Sequence, residues 1–276
     1  MMRINKKWMI ALTLFFAGGS VNVTHAQRQY YEDSPERLSR QQMSSEEFFL
    51  PSINEIYEQA KAYGLSRNWN RIVRIQPKNY RAMKLPRRAF AVGQTLSNIA
   101  VLVLDTNAVP SKGLVQHAYD AILSLNPPRK INAQLQRLRN QLEAGTLRGR
   151  NLREQVDILL DETVQEMVET APSLRDAGML VLGAGYFRAM YLGASTVAKY
   201  SRPNRDQLAM FRWGSIIDHF IRYFTQKANR QFKSSAEVKS FVIALKKIQR
   251  LLNKAPERIS KQDISQVARA LKPLFK

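Results

Sequence analysis

Two segments a hundred residues apart restrict the fold more than anything else in the chain: RAFAVGQTLSNIA at residues 88–100 and RAMYLGASTVAKY at residues 188–200, which share the pattern R-A-[FM]-x-[VL]-G-x-[TS]. Both are nearly continuous apolar runs without strand-like alternation, and both are long enough to be helices of several turns. Ala89, Gly93 and Ser97 recur every fourth residue in the first, as do Gly185, Ala189 and Gly193 in the second. Positions four apart share a helix face, so each segment carries a stripe of small side chains along which another backbone can approach closely. A glycine inside a helix costs about 1 kcal/mol relative to alanine. Close helix–helix packing is the expected compensation.

The rest of the chain is also read as helical. Helices are predicted at 53–63, where Ser52 and Glu55 form a capping box and Gly64 stops the turn, and at 89–104, 114–125, 131–142, 152–168, 174–200, 206–224, 235–252 and 260–271. No stretch after residue 26 alternates in the manner of a strand. The predicted fold class is all-α: a single-domain helical bundle spanning residues 51–276. The order of helices invites a reading as two pseudo-repeats of about four helices, supported by LQRLRNQL at 135–142 and LKKIQRLL at 245–252. On that reading the two glycine helices meet near a pseudo-two-fold axis.

The N-terminus reads as an export signal. Arg3, Lys6 and Lys7 precede an apolar run from Met9 to Ala17, and a segment of small residues ends at Thr24-His25-Ala26, which places cleavage between Ala26 and Gln27. The expected location is outside the cytoplasm, in the periplasm or beyond. Residues 27–50 are polar and aperiodic and are read as a mobile lead-in. With no cysteine in the chain, disulfides, thiolate zinc sites and lipid attachment at a cysteine are excluded. The apolar stretch 177–198 is interrupted by Arg188, and central Arg side chains cost about 2.5–3.5 kcal/mol to insert in a bilayer. It is therefore read as a buried helix, with no transmembrane span in the mature chain.

Charge gives the strongest hint of a partner. After residue 26 the chain holds 40 Lys and Arg against 22 Asp and Glu, a formal charge of +18. From residue 59 to residue 104 there is no acidic residue, while Arg67, Arg71, Arg74, Lys78, Arg81 and Lys84 follow at spacings of three and four. Such spacing places charge on one helix face, although Pro77 must break or kink the helix. These six residues are the candidate surface for an anionic envelope component or an acidic protein, including peripheral contact with phospholipid head groups. Nucleic acid suits the charge and the interleaved Trp69 and Tyr80, but an export signal makes it the less available partner.

Catalytic chemistry has little support. GAGYFR at 183–188 lacks the third glycine and the preceding strand of a dinucleotide-binding turn. His117 with Asp120, and Asp218 with His219, supply no third metal ligand at helical spacing, and neither a G-x-S-x-G elbow nor S-x-x-K is present. Glu162, Glu166 and Glu169 read as a solvated face, or one docked on the chain's own basic helices. No cofactor or metal is expected. The room left for chemistry is a buried polar site formed by Gln94, Asn98 and Arg188, suited to a small molecule, with Arg188 in need of a partner.

The pair of glycine helices, AFAVGQTLSN followed about ninety residues later by LVLGAGYFRAMYLG, resembles those of uncharacterised exported all-helical bacterial proteins. In that group a first helix of the form L-G-x-Y-x-A-D-L and a later G-G-W-x-E-G-L-Y helix flank a helical middle. The resemblance covers roughly residues 85–200 and implies an exported helical fold without a known activity. Asn98 stands about where the group has its aspartate and Arg188 replaces its glutamate, so no role of those acids carries over.

Overall fold

The structure, a computed structural model, describes residues 53–65, 69, 73, 75, 78–105, 112–146, 163–164, 166–169, 171–200 and 202–275. All of them lie in one compact unit that runs from Phe49 to Lys276. Among the described residues there are ten bounded α-helices and no strand. They are α1 (Ile53–Ala62), α2 (Leu85–Asp105), α3 (Lys112–Leu123), α4 (Arg129–Glu143), α5 (Arg175–Lys199), α6 (Arg205–Ala209), α7 (Gly214–Arg222), α8 (Arg230–Ser234), α9 (Ala236–Leu252) and α10 (Lys261–Leu271). The fold is an all-α helical bundle in a single domain. Residues 1–52, including Ala26, Gln27 and the polar lead-in, lie outside the described residues.

Local chemistry explains most helix ends. Gly64 takes a φ of +69° after α1, and the amides of Gly64 and Leu65 donate to the carbonyls of Lys61 and Ala60 at 2.9 and 2.8 Å. This is the crossed pattern that a left-handed residue allows at a helix C-terminus. Ser235 caps α9 by accepting from the Val238 amide, and Ser260 with Asp263 forms a capping box at α10. One predicted helix is divided. Residues 206–224 form α6, a turn, α7 and a π-helical turn at Tyr223–Lys227. Phe211 and Phe220 are both fully buried, and residues nine apart stand on opposite sides of a continuous α-helix. Burying them requires the chain to leave the helix.

Helix α5 is the centre of the molecule, with 19 of its 25 residues buried. Its most extensive partner is α2, followed by α10. The Ser97 hydroxyl donates to the Gly185 carbonyl at 3.1 Å and Arg188 reaches Asn98, contacts 88 and 90 residues apart in sequence. Gly93 meanwhile lies against Val181 and Ala184. A separation that stays nearly constant means that α2 and α5 run parallel. It also means that Gly93 does not face Gly193, which would require an offset of 100; the ten-residue difference is about 15 Å along a helix. Gly193 instead packs on the Phe211 ring. The close crossing therefore does not pair equivalent residues of the shared motif.

The other face of α5 carries an aromatic cluster. Phe187, Phe220 and Phe241 meet edge to face at centroid distances of 5.4 to 6.3 Å. Gly183 lies directly beneath Phe241 and Phe220. Asp176, in the first turn of α5, accepts hydrogen bonds from the Tyr223 hydroxyl at 2.6 Å and the Asn229 amide at 3.0 Å. A carboxylate there also complements the positive end of the helix dipole.

Candidate functional site

Gln94 and Asn98 stand one turn apart on α2, and Arg188 of α5 meets the second of them. Its Nε donates to Asn98 Oδ1 at 2.9 Å, and Arg188 is only 6% exposed. Gln94 is turned to a different cation, accepting from Lys78 Nζ at 3.1 Å. The site therefore contains two cations, each hydrogen-bonded to a neutral amide oxygen. Amides fill a hydrogen-bonding position without cancelling charge, so the burial cost of both cations remains largely uncompensated. Burial lowers the pKa of Arg188 from its usual value, which the hydroxyls of Tyr57 and Tyr191 oppose. Lys78 is also lowered, by burial and then by the positive charge of Arg188. Ion pairs among the described residues lie elsewhere, at Lys130–Glu166, Arg139–Glu143 and Lys254–Asp263.

One side of the site is aromatic. The guanidinium carbon of Arg188 is 5.4 Å from the centre of the Tyr191 ring and 5.5 Å from that of Phe275. Phe90 stacks on Phe275 at 5.7 Å, and Tyr191 is 5.8 Å from the same ring. Phe275 comes from the 3₁₀ turn Lys272–Phe275 after α10, so the last described turn of the chain closes over the centre of the bundle. Phe90, Gln94 and Asn98 form one stripe of α2, and Arg188 and Tyr191 one stripe of α5. Asn98, Arg188 and Phe275 are buried, while Lys78, Phe90, Gln94 and Tyr191 are partly exposed. Beside the site, the hydroxyls of Tyr57 and Ser97 are 2.5 Å apart. Burial pushes the Tyr57 pKa up, against the effects of Ser97 and Arg188.

The structure describes only the second half of the basic run. Arg67, Arg71 and Arg74 lie outside the described residues. From Lys78 to Lys84 the chain contains only a 3₁₀ turn at Tyr80–Ala82 before α2 begins, so the predicted helical stripe of charge is not formed there. The physical reason lies in the anchors of this segment, because Tyr80 is buried with its hydroxyl 2.7 Å from that of Thr95 and Lys78 turns inward. Arg81 and Lys84 are exposed. Arg88 serves packing, with its Nη atoms donating to the carbonyls of Ser124 at 2.8 Å, Met83 at 2.8 Å and Arg81 at 3.2 Å.

The remaining candidates separate from this site. Among the described residues, no group of three or more His, Cys, Asp or Glu side chains could hold a metal ion. Asp218 accepts from Gln249 Nε2 at 2.5 Å. Burial, with Arg222 and Lys227 adding to it, pushes the His219 pKa down to about 4. Thr196 accepts from Trp69 Nε1 at 2.9 Å and donates to the Leu192 carbonyl at 3.0 Å, which makes it a packing hydroxyl. Glu166 pairs with Lys130 of α4 at 2.9 Å, a dock of acid on the chain's own basic helix. No helix among the described residues is long and apolar enough to cross a membrane.

Sequence reading nominated Lys78 for the surface and missed its pairing with Gln94. The available signal was that Lys78 lies in an acid-free run beside the anchoring Tyr80 and just after Pro77. Tyr191 and Phe275 were missed as well, because an aromatic ring over a buried guanidinium has no sequence spacing of its own. No protein-family model, no curated protein and no solved structure matches this chain.

Proposed function

We propose that this chain is an exported binding protein that receives the anionic group of a small molecule between α2 and α5, at Arg188 and Lys78. The observation that carries this reading is a buried arginine whose hydrogen-bonding partner is a neutral amide, with a second, partly buried cation, Lys78, close enough to feel its charge. A solitary buried charge is costly, and proteins retain one where it is paired or has work to do. The basic composition and the N-terminal pattern of residues 1–26 support an exported protein meeting anionic material in the envelope. Among the described residues the side chains that meet at the site are cations, amides and aromatic rings, and binding is the activity proposed.

The test is a thermal-shift screen of the mature chain, beginning at Gln27, against equal panels of anionic, neutral and cationic small molecules. Stabilisation by members of the anionic panel, lost in Arg188→Met, is the expected result. Stabilisation confined to neutral or cationic compounds, or an undiminished response in Arg188→Met, would refute the proposal.

A further inference from the structure

The class of ligand follows from the groups left unused around Arg188, and naming it rests on the anion-binding reading above. The guanidinium is planar and has five N–H donors. Its Nε is committed to Asn98 Oδ1, and among the described residues no hydrogen bond is made by either Nη atom. The edge formed by Nη1 and Nη2 offers two parallel N–H bonds, the spacing that a carboxylate accepts with both oxygens. Lys78 Nζ, donating to Gln94 Oε1 at 3.1 Å, has further protons for the same or a neighbouring oxygen.

The walls discriminate among oxyanions. Tyr191 and Phe275 lie within 5.5 Å of the guanidinium carbon, and Phe90 extends the aromatic surface by stacking on Phe275. Phe90 and Tyr191 are both partly exposed, so the aromatic surface beside Arg188 continues to the outside of the protein. A free phosphate or sulfate is hydrated on all sides and gains nothing from aromatic walls. A molecule with a carboxylate at one end and an apolar body at the other places its charge on Arg188 and Lys78 and its body on the rings, where burial of apolar surface adds to affinity. We infer that the site takes an organic acid with a single carboxylate and an aromatic or branched apolar body, held bidentate by Arg188, supported by Lys78 and covered by Phe90, Tyr191 and Phe275.

The experiment is calorimetric titration of the mature chain with phenylacetate, acetate, inorganic phosphate and phenylethanol, the last resembling the acid in shape without its charge. Phenylacetate is expected to bind at least tenfold more tightly than acetate, phosphate or phenylethanol. Arg188→Met should abolish its binding, Lys78→Met should weaken it several-fold, and Phe275→Ala should reduce the advantage over acetate. Circular dichroism identifies any variant that fails to fold, and Lys78→Met and Arg188→Lys, which retain more of the native site, then carry the test. Phosphate bound as tightly as phenylacetate and lost in Arg188→Met would overturn the carboxylate assignment while leaving an anion site standing. Phenylethanol bound as tightly as phenylacetate would overturn the role of the cations. No binding by any of the four overturns the ligand class proposed here, and the broader panel then decides whether the site takes anions at all.

Discussion

Substituting Gly93 by alanine tests the packing on which the site depends. A methyl group at this position would lie 2.2 Å from the Val181 carbonyl oxygen and 2.9 Å from Ala184 Cβ, whereas ordinary contact begins near 3.4 Å. The obstructing atom is backbone, so no rotamer change relieves the overlap, and α2 and α5 must move apart by about 1 Å at their most extensive contact. Overpacking of this kind costs about 1–3 kcal/mol. Against it stands the gain in helix propensity from glycine to alanine, about 1 kcal/mol. An overlap this deep with a backbone atom puts the cost near the upper end of that range, about 2–3 kcal/mol, so the net effect is a destabilisation on the order of 1–2 kcal/mol, which for a domain of this size lowers Tm by roughly 2–8 °C. Gly193→Ala is the matched control. Its methyl would meet the Phe211 ring at 3.4 Å, an ordinary contact, so stability should hold or rise by up to about 1 kcal/mol. Thermal melts followed by circular dichroism compare the two proteins directly. A melting temperature for Gly93→Ala equal to or above that of the wild type would refute the close crossing of α2 and α5.

Other consequences can be checked on the same protein. Replacing both members of the buried pair, Arg188→Met with Asn98→Leu, removes an uncompensated charge together with its acceptor and should stabilise the ligand-free protein by about 1–2 kcal/mol; a lower Tm for the double variant would show that the pair is structural. Tyr223→Phe removes the 2.6 Å hydrogen bond to Asp176 and should cost about 1.5–3 kcal/mol in urea unfolding, the usual value for a bond to a charged group. Because the folded-state pKa of His219 is depressed to about 4, the unfolded chain takes up its proton first, and the stability held above the unfolded pKa near 6.5 is lost as pH falls from about 6.5 towards 4. After allowance for partial exposure the loss is on the order of 1–2 kcal/mol, and His219→Gln should flatten this part of the pH profile.

How far the sequence could be read varies from element to element for identifiable reasons. Helices with a cap and a stop of their own were legible: Gly64 needs a left-handed conformation wherever it ends α1, and Ser235 and Ser260 cap their helices locally. The glycine stripe was legible as a close contact because adding a side chain there is costly in any partner's presence. Which residues fill the space was not legible, and the fold supplies Val181 and Ala184. The break between α6 and α7 is a tertiary effect, since Phe211 and Trp213 leave the helix to pack on α5. The site was half visible. Gln94, Asn98 and Arg188 stood out as polar groups inside apolar helices, and the structure joins Asn98 to Arg188. Their link to Lys78 and Phe275 spans long stretches of chain and follows from how the helices assemble, which spacing within one segment does not encode.

The central claim is that Arg188 is kept buried and amide-paired in order to meet an anion from outside the chain. Guanidinium-resolved ¹H–¹⁵N NMR during titration with phenylacetate observes that atom group itself, with Asn98→Leu providing the assignment. The expected result is a saturable shift of the Arg188 Nε and Nη signals, with slowed rotation of the guanidinium at the same ligand concentration that fills the site by calorimetry. Unmoved Arg188 signals while exposed arginines such as Arg87 respond would contradict the claim.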